Sequence, residues 1–326
     1  MTTGYLERVI AARDELKGSS PEAWYDRLER DEPELEAALE RACDHDPRLG
    51  LEAAALLQRF WFARGRLSRG RAWVERLLES AGKEPTAERA QGLVAVAGLA
   101  FRQGDNDVTK QRAREALDVA AAVGRRDIEA EALLALARAG LRDEDPSSVR
   151  LHASEARAIA LELNDEDSEL SAIHHLAEGA RMAGDLAEAR TLYAESLERN
   201  RARGAQLKVA VELTNFGYVE KASGRLDVAE ARVREAIPIS LSIGNSYVLA
   251  HNLVALAAVV AASGRHDESA RLLGKADAIF AETGLVLDPA DRPEYDGAVA
   301  AARAALGTEA YEAAYAAGVS LDPAML

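Results

Sequence analysis

The sequence predicts an all-α protein, a solenoid of helix pairs, on three observations. Alanine, leucine, glutamate and arginine dominate a chain of 326 residues that is 48% hydrophobic and only 5% aromatic, and these residues lose least on entering a helix. No stretch alternates with period two for long enough to read as a sheet. Finally, Gly65, Gly104, Gly184, Gly224 and Gly264 anchor the similar segments ARGRLSRG, RQGDND, MAGDLAEA, ASGRLDVA and ASGRHDES, at spacings of 39, 80, 40 and 40 residues. The 80-residue gap is two periods, which places a disguised turn at the helix breaker Glu144-Asp145-Pro146. The period is therefore 40, with six units between residues 50 and 284. A chain this long exceeds one ordinary hydrophobic core, as a repeat array does.

Columns at fixed offsets from the turn define the first helix. Eleven residues before it stand Leu93, Leu133, Ile173, Leu213 and Leu253; eight before it, Val96, Leu136, Leu176, Phe216 and Leu256; seven before it, Ala97, Ala137, Ala177, Gly217 and Ala257. Large, large and small residues at these offsets share one stripe of a 3.6-residue helix. Twelve residues after the turn come Ala116, Ala156, Ser196, Ala236 and Ala276, small where the second helix must approach the first. Twenty after it come Gly124, Asn164, Gly204, Gly244 and Gly284, residue types that tolerate the left-handed conformation ending a helix. Each unit thus reads as first helix, short turn, longer second helix and C-cap.

In chain order, Ser20-Pro21-Glu22-Ala23 is a cap and first-turn signature for a helix over residues 24–30, and Asp31-Glu32-Pro33 begins another running to Cys43. The first unit, with Trp61, Phe62 and Trp73, fits the columns least well, as terminal repeats do. In the disguised unit, Pro146-Ser147-Ser148 supplies an N-cap region. Pro238 lies inside a second helix (REAIPISLSIG) and predicts a local bend. Residues 288–293 read as a linker, followed by a terminal helical hairpin over residues 295–306 and 308–317 around Gly307. The expected organisation is N-terminal capping helices over 1–49, the array over 50–284, and a C-terminal cap over 285–326.

The bulk numbers narrow the function. A net charge of −15 and a pI near 5.0 disfavour direct nucleic-acid binding. Cys43 is the only cysteine, which excludes an intramolecular disulfide and fits a reducing cytoplasm; its apolar helical neighbours mark it as a buried structural thiol. The N-terminus has charges throughout and no apolar core of a secretory signal. The longest apolar run, residues 253–262, is too short to span a bilayer, so no membrane association is expected. No G-x-S-x-G, H-E-x-x-H, C-x-x-C or GxxxxGK[ST] motif occurs, which leaves an enzyme without a nucleophile, a metal pair or a phosphate cradle. A non-catalytic protein with no cofactor is expected, and a cytoplasmic one.

The repeat columns resemble the tetratricopeptide (TPR) signature, although 40 residues is longer than the usual period of about 34. That resemblance implies a right-handed α-α superhelix, with first helices lining a concave groove. The segments WYDRLERDEPELEAALERA and LGLEAAALLQRFWFARGRLSRGRAWVERLL, with SGRHDESARLLGKADAIFAETG and AAARAALGTEAYEAAYAAGVSLDPAML, resemble more particularly the TPR-containing C-terminal region of actinobacterial signal-transduction ATPases with numerous domains (STAND), of LuxR and AfsR type. In those regulators the region serves as a sensor or partner-binding arm. The resemblance implies a detached effector arm or a free-standing relative, since neither a phosphate loop nor a helix-turn-helix segment outside the array is found.

The resemblance also assigns groove positions. They are Arg59 and Phe62 in the first unit, Gln91, Phe101 and Arg102 in the second, and Glu131, Arg138 and Arg142 in the third. The fourth gives His174, His175, Glu178 and Arg181, the fifth Thr214, Asn215, Tyr218 and Lys221, and the sixth His251. Five Arg, one Lys and three His against Glu131 and Glu178 make a basic groove in an acidic protein, suited to an acidic peptide or an anionic small molecule. Asn215 sits in LTNFGYV, similar to the LNNLG segment of TPR proteins whose asparagine holds a bound peptide backbone. The adjacent His174 and His175 diverge by about 100° on a helix, which argues against a shared metal and for a polar groove; His251 across the groove would be the partner of either. The arginines at positions 59, 64, 66, 69, 71 and 76 read as a docking surface for an acidic partner or as a solvated turn. The leading expectation is a partner- or ligand-sensing arm of a transcriptional regulatory system. A free-standing protein scaffold and a small-molecule-binding solenoid are the alternatives.

Overall fold

The computed structural model describes residues 3–17, 21–283 and 285–326. Among these, eighteen α-helices and two short 3-10 turns account for the regular structure, with no strand. Ser20 and Gly284, expected at helix caps, lie outside the described residues. Four helices come first: α1 (Thr3–Ala11), α2 (Arg13–Lys17), α3 (Glu22–Arg30) and α4 (Glu32–His45). The six expected pairs follow as α5 (Pro47–Ala63) with α6 (Leu67–Ser80), α7 (Ala87–Arg102) with α8 (Asn106–Ala122), and α9 (Arg126–Arg142) with α10 (Pro146–Leu163). The series continues with α11 (Glu166–Met182) and α12 (Leu186–Ala202), α13 (Gln206–Ala222) and α14 (Leu226–Ser242), and α15 (Ser246–Ala262) and α16 (His266–Thr283). The terminal hairpin is α17 (Arg292–Leu306) and α18 (Thr308–Gly318). Of these, α1 and α2 fall in the expected N-terminal capping region, before the helices whose bounds were read from the sequence.

The turns explain the period. At Gly104, the Gly104 N–H donates to Phe101 O (3.0 Å) and the Asp105 N–H to Ala100 O (3.0 Å), the paired bonds of a Schellman stop. That stop needs a left-handed residue, and the disguised unit supplies one without glycine: Glu144 has φ 53°, as Asn164 has 54° at the end of the next helix. The disguised repeat at Glu144 is therefore a true one. Asp105 and Asp145 then cap the following helices, accepting from Val108 N (3.2 Å) and Ser148 N (3.1 Å). Pro238 sits inside α14, which runs unbroken from Leu226 to Ser242.

The packing follows the columns. Leu93, Leu213 and Leu253 are fully buried, and Gly217 is small because a Cβ there would stand 2.5 Å from Val233 Cγ2 of the paired helix. The chain divides into two compact units, Met1–Gly140 with Leu151–Ala172, and Leu141–Arg150 with Ile173–Leu326.

In the first unit, the basic cluster is neutralised within the chain. Arg66 reaches Glu32 (2.7 Å) and Glu29 (2.6 Å), Arg69 reaches Glu32 (2.8 Å) and Glu36 (2.5 Å), Arg64 pairs with Asp26 and Glu29, and Arg76 with Glu40. The arginines of α6 and of the turn before it thus clasp the acidic α3 and α4. Arg71 instead bonds Glu75 and Asp105. Cys43 is buried, as expected.

In the second unit, α15 packs against α13, α14, α16 and α17. This enclosure explains why its sequence is apolar all round. No described helix is long and apolar enough to cross a membrane. The terminal hairpin closes on α16 at backbone distance: a Cβ on Gly274 would lie 2.0 Å from Tyr315 O, and one on Gly318 2.0 Å from Arg271 O.

Candidate functional site

Ten of the expected groove residues fall in the second unit, on α9, α11, α13 and α15, and the structure gives the face an occupant. The chain leaving α16 crosses this face before entering α17. Arg181 donates from Nη2 to Ala290 O at 3.3 Å and stands 3.6 Å from the Asp291 carboxylate. Lys221 Nζ donates to Glu294 at 2.6 Å. His251 Nε2 accepts the Asp288 N–H at 3.2 Å while its Nδ1 donates to Tyr247 O at 2.9 Å, which fixes the tautomer. Three first helices therefore hold residues 288–294 through one basic or imidazole group each.

The electrostatics match. Burial raises the Asp291 carboxyl to about 6, with the Arg181 guanidinium opposing the rise. Burial works against the Arg181 guanidinium, but the charges around it, Asp291 and Glu178 among them, hold its proton more firmly than usual. Arg142, half-buried on α9, is shifted down by desolvation, with the Asp288 charge partly offsetting this. Tyr218 is buried rather than exposed: its ring lies 5.2 Å from the Arg181 guanidinium and its hydroxyl makes no hydrogen bond among the described residues. Its phenol is accordingly pushed well above 10 by burial. Asn215 is half-buried and donates to Val211 O of its own helix at 3.2 Å. Thr214 is buried in a polar ladder, with Asn252 donating to it and Ser240 donating to Asn252 at 2.6 Å.

One turn along α11 lies a second polar cluster. His175 Nδ1 is 2.8 Å from Glu178 Oε2, and His174 Nε2 is 3.5 Å from the same oxygen. His174 Nδ1 faces Glu212 Oε1 of α13 at 3.1 Å, which also accepts from Ser196 Oγ at 2.8 Å. Burial opposes a charged His174, yet Glu212 and Glu178 on either side raise it to about 10. Burial would raise the Glu178 carboxyl, but the two imidazoles hold it well below the usual range. Glu212 and its partner Ser196 were missed as site residues in the sequence, because a buried carboxylate in a core column carries no local pattern that separates it from a surface one.

The expected residues of the first unit do not form a comparable cluster. Phe62 is half-buried beneath Arg102, whose guanidinium lies 3.7 Å from the ring centroid. Phe101 is buried, Arg59 is exposed, and Arg138 Nε donates to Leu134 O at 3.3 Å. Gln91 and Glu131 are half-buried.

Helix pairs of 40 residues with turn glycines and a large–large–small first-helix stripe make a solenoid with a tetratricopeptide-like fold. No family model and no curated protein matches the sequence. Among solved structures the chain is similar to a Rap protein complexed with competence and sporulation factor, at TM-score 0.64 and 14% identity over 86% of this chain and 78% of that one. It is similar to the Rap conjugation gene regulator of plasmid pLS20 in complex with the Phr* peptide, at TM-score 0.56 and 12% identity over 82% and 80%. It is also similar to a STAND protein with a tetratricopeptide repeat sensor from Pyrococcus horikoshii, at TM-score 0.56 and 15% identity, over 84% of this chain and 43% of that one. At these identities the likeness is one of fold.

Proposed function

We propose that the chain is a non-catalytic binding module that holds an acidic peptide segment of a partner protein on the α11–α13–α15 face, as the sensor or effector arm of a regulatory system. The observation that carries the reading is the chain's own segment 288–294, whose Asp288, Asp291 and Glu294 meet His251, Arg181 and Lys221. A face that holds an acidic segment in cis has the charge and hydrogen-bonding groups to hold one in trans. The Rap regulator seen with its Phr* peptide and the STAND repeat sensor support a regulatory role by analogy of fold. The actinobacterial LuxR or AfsR type of regulator is the finer form of this proposal. A small-molecule reading would favour a different place, a cleft of about 400 Å³ in the terminal hairpin lined by Tyr295, Arg303, Tyr311 and Tyr315.

The test is fluorescence anisotropy of a labelled peptide carrying residues 286–296, added to the full chain. The Asp288→Asn, Glu294→Gln variant weakens the internal competitor, so it should bind the peptide at least tenfold more tightly than wild type. Adding Arg181→Glu and Lys221→Glu should abolish that binding. Equal, charge-independent binding in all three proteins would overturn the reading.

A further inference from the structure

We propose that His174, His175 and Glu178 form a binding site for a divalent first-row transition ion, with Zn²⁺ as the best match. The inference stands on α11 and its neighbours and does not depend on what the α11–α13–α15 face binds.

The backbone directions of adjacent residues diverge, but the side chains do not. The two imidazole rings meet edge-on with centroids 5.3 Å apart, and one ligand atom from each of the three residues lies within 4.8 Å of the others. The measured separations to Glu178 Oε2 are 2.8 Å from His175 Nδ1 and 3.5 Å from His174 Nε2. Ligands bound to tetrahedral zinc at its usual bond lengths stand about 3.3 Å from one another, so these separations bracket the required one. Two imidazoles and one carboxylate are a borderline nitrogen–oxygen set that suits zinc and its neighbours better than calcium or magnesium. Three protein ligands leave a fourth position open.

The support behind the ligands is of the kind metal sites use. Glu212, whose side chain is 2% exposed, sits behind His174 with Oε1 at 3.1 Å from Nδ1. An Nδ1–H donated to that carboxylate fixes the tautomer that turns the Nε2 lone pair toward Glu178, the carboxylate–histidine–metal arrangement. Ser196 of α12 donates to the same Glu212 oxygen, and so locks the carboxylate from the other side. The second Glu212 oxygen is buried and makes no hydrogen bond among the described residues. A carboxylate with one oxygen unpaired is costly to bury, and cationic charge on the metal-bound imidazole beside it would offset that cost. The site thus joins ligands on one first helix to a supporting carboxylate on the next.

The experiment uses the full chain, stripped with EDTA and titrated calorimetrically with Zn²⁺ alone, with Co²⁺ absorption as a second probe of coordination. One equivalent of Zn²⁺ should bind with micromolar affinity or better, and Co²⁺ should show tetrahedral d–d bands. His175→Gln and Glu178→Gln should each weaken binding at least tenfold, and Glu212→Gln by about 10- to 100-fold. His251→Gln, His266→Gln and Cys43→Ser should leave it unchanged. Circular dichroism checks folding of each variant. If Glu178→Gln does not fold, His175→Gln decides, because its imidazole lies at the edge of the carboxylate network. The proposal is overturned by the lack of stoichiometric binding, or by binding that survives His175→Gln and marks an adventitious surface ion.

Discussion

His174 shows how two carboxylates can outweigh burial. In metal-free protein its imidazolium is held between Glu212 and Glu178, with the pKa raised to about 10. Because the folded state binds this proton more tightly than the unfolded chain, the stabilisation is complete below the ordinary histidine value near 6.5 and is lost as pH rises through 10. Glu178 behaves oppositely: its depressed carboxyl stabilises above the ordinary value of 4.5 and loses that contribution as the solution is acidified through its folded value. An NMR titration should therefore find the His174 ring still charged at about pH 8, well above the usual histidine midpoint. Breaking the pair with Glu178→Gln should cost about 3–5 kcal/mol in urea unfolding at neutral pH, the range for removing one partner of a buried ion pair. Asp291 gives a third dependence. Its raised folded pKa means that docking of its segment is strongest below the ordinary 3.8 and weakens as pH rises through about 6. Hydrogen exchange of residues 285–291, corrected for intrinsic rates, should show more protection at about pH 5 than at pH 8, and equal protection would contradict the assignment.

At the level of elements, the left-handed turn column makes sharp demands. Glu144 occupies it with a side chain that disfavours φ 53°, so Glu144→Gly should raise stability by about 0.5–1 kcal/mol, read as an increase in Tm. Asn164→Gly should gain less, because asparagine tolerates this region. Gly217→Ala should cost about 1–3 kcal/mol, since the added methyl meets Val233 with little room to move. These positions also show what was legible. The glycine register and the large–large–small stripe were readable because local backbone and packing requirements repeat at a fixed interval, and so even the glycine-free turn at 144 could be placed. The clasp of α3 and α4 was not. Its acids and arginines were each visible, but their partners are 34–38 residues away, and pairing at that distance is set by tertiary docking. Arg66→Glu should loosen this clasp, seen as faster proteolysis within residues 22–45 and a destabilisation of about 1 kcal/mol or less per exposed pair lost.

At the scale of the whole molecule, the sequence showed a basic set of first-helix positions and, separately, a linker after the last repeat. Nothing in either stretch says that one lies on the other, because the meeting depends on where the chain turns after α16. That turn converts Arg181, Lys221 and His251 from expected free contacts into groups already engaged. Ionic strength offers a check on the second unit as a whole. Raising salt should increase exchange in residues 285–294 before it affects α15, whose burial is apolar and unscreened.

The crossing of residues 288–294 also has a mechanical meaning. A pull applied to the terminal hairpin meets two attachments in parallel, the close α16–α18 backbone contact at Gly274 and Gly318, and the tethers to Arg181, Lys221 and His251 on three earlier helices. Load entering at the hairpin is therefore shared with α11, α13 and α15, so these helices yield together with the last pair and not one after another. The linker is a tendon laid across the repeats, and the stiffness of the second unit under tension depends on whether that tendon is seated.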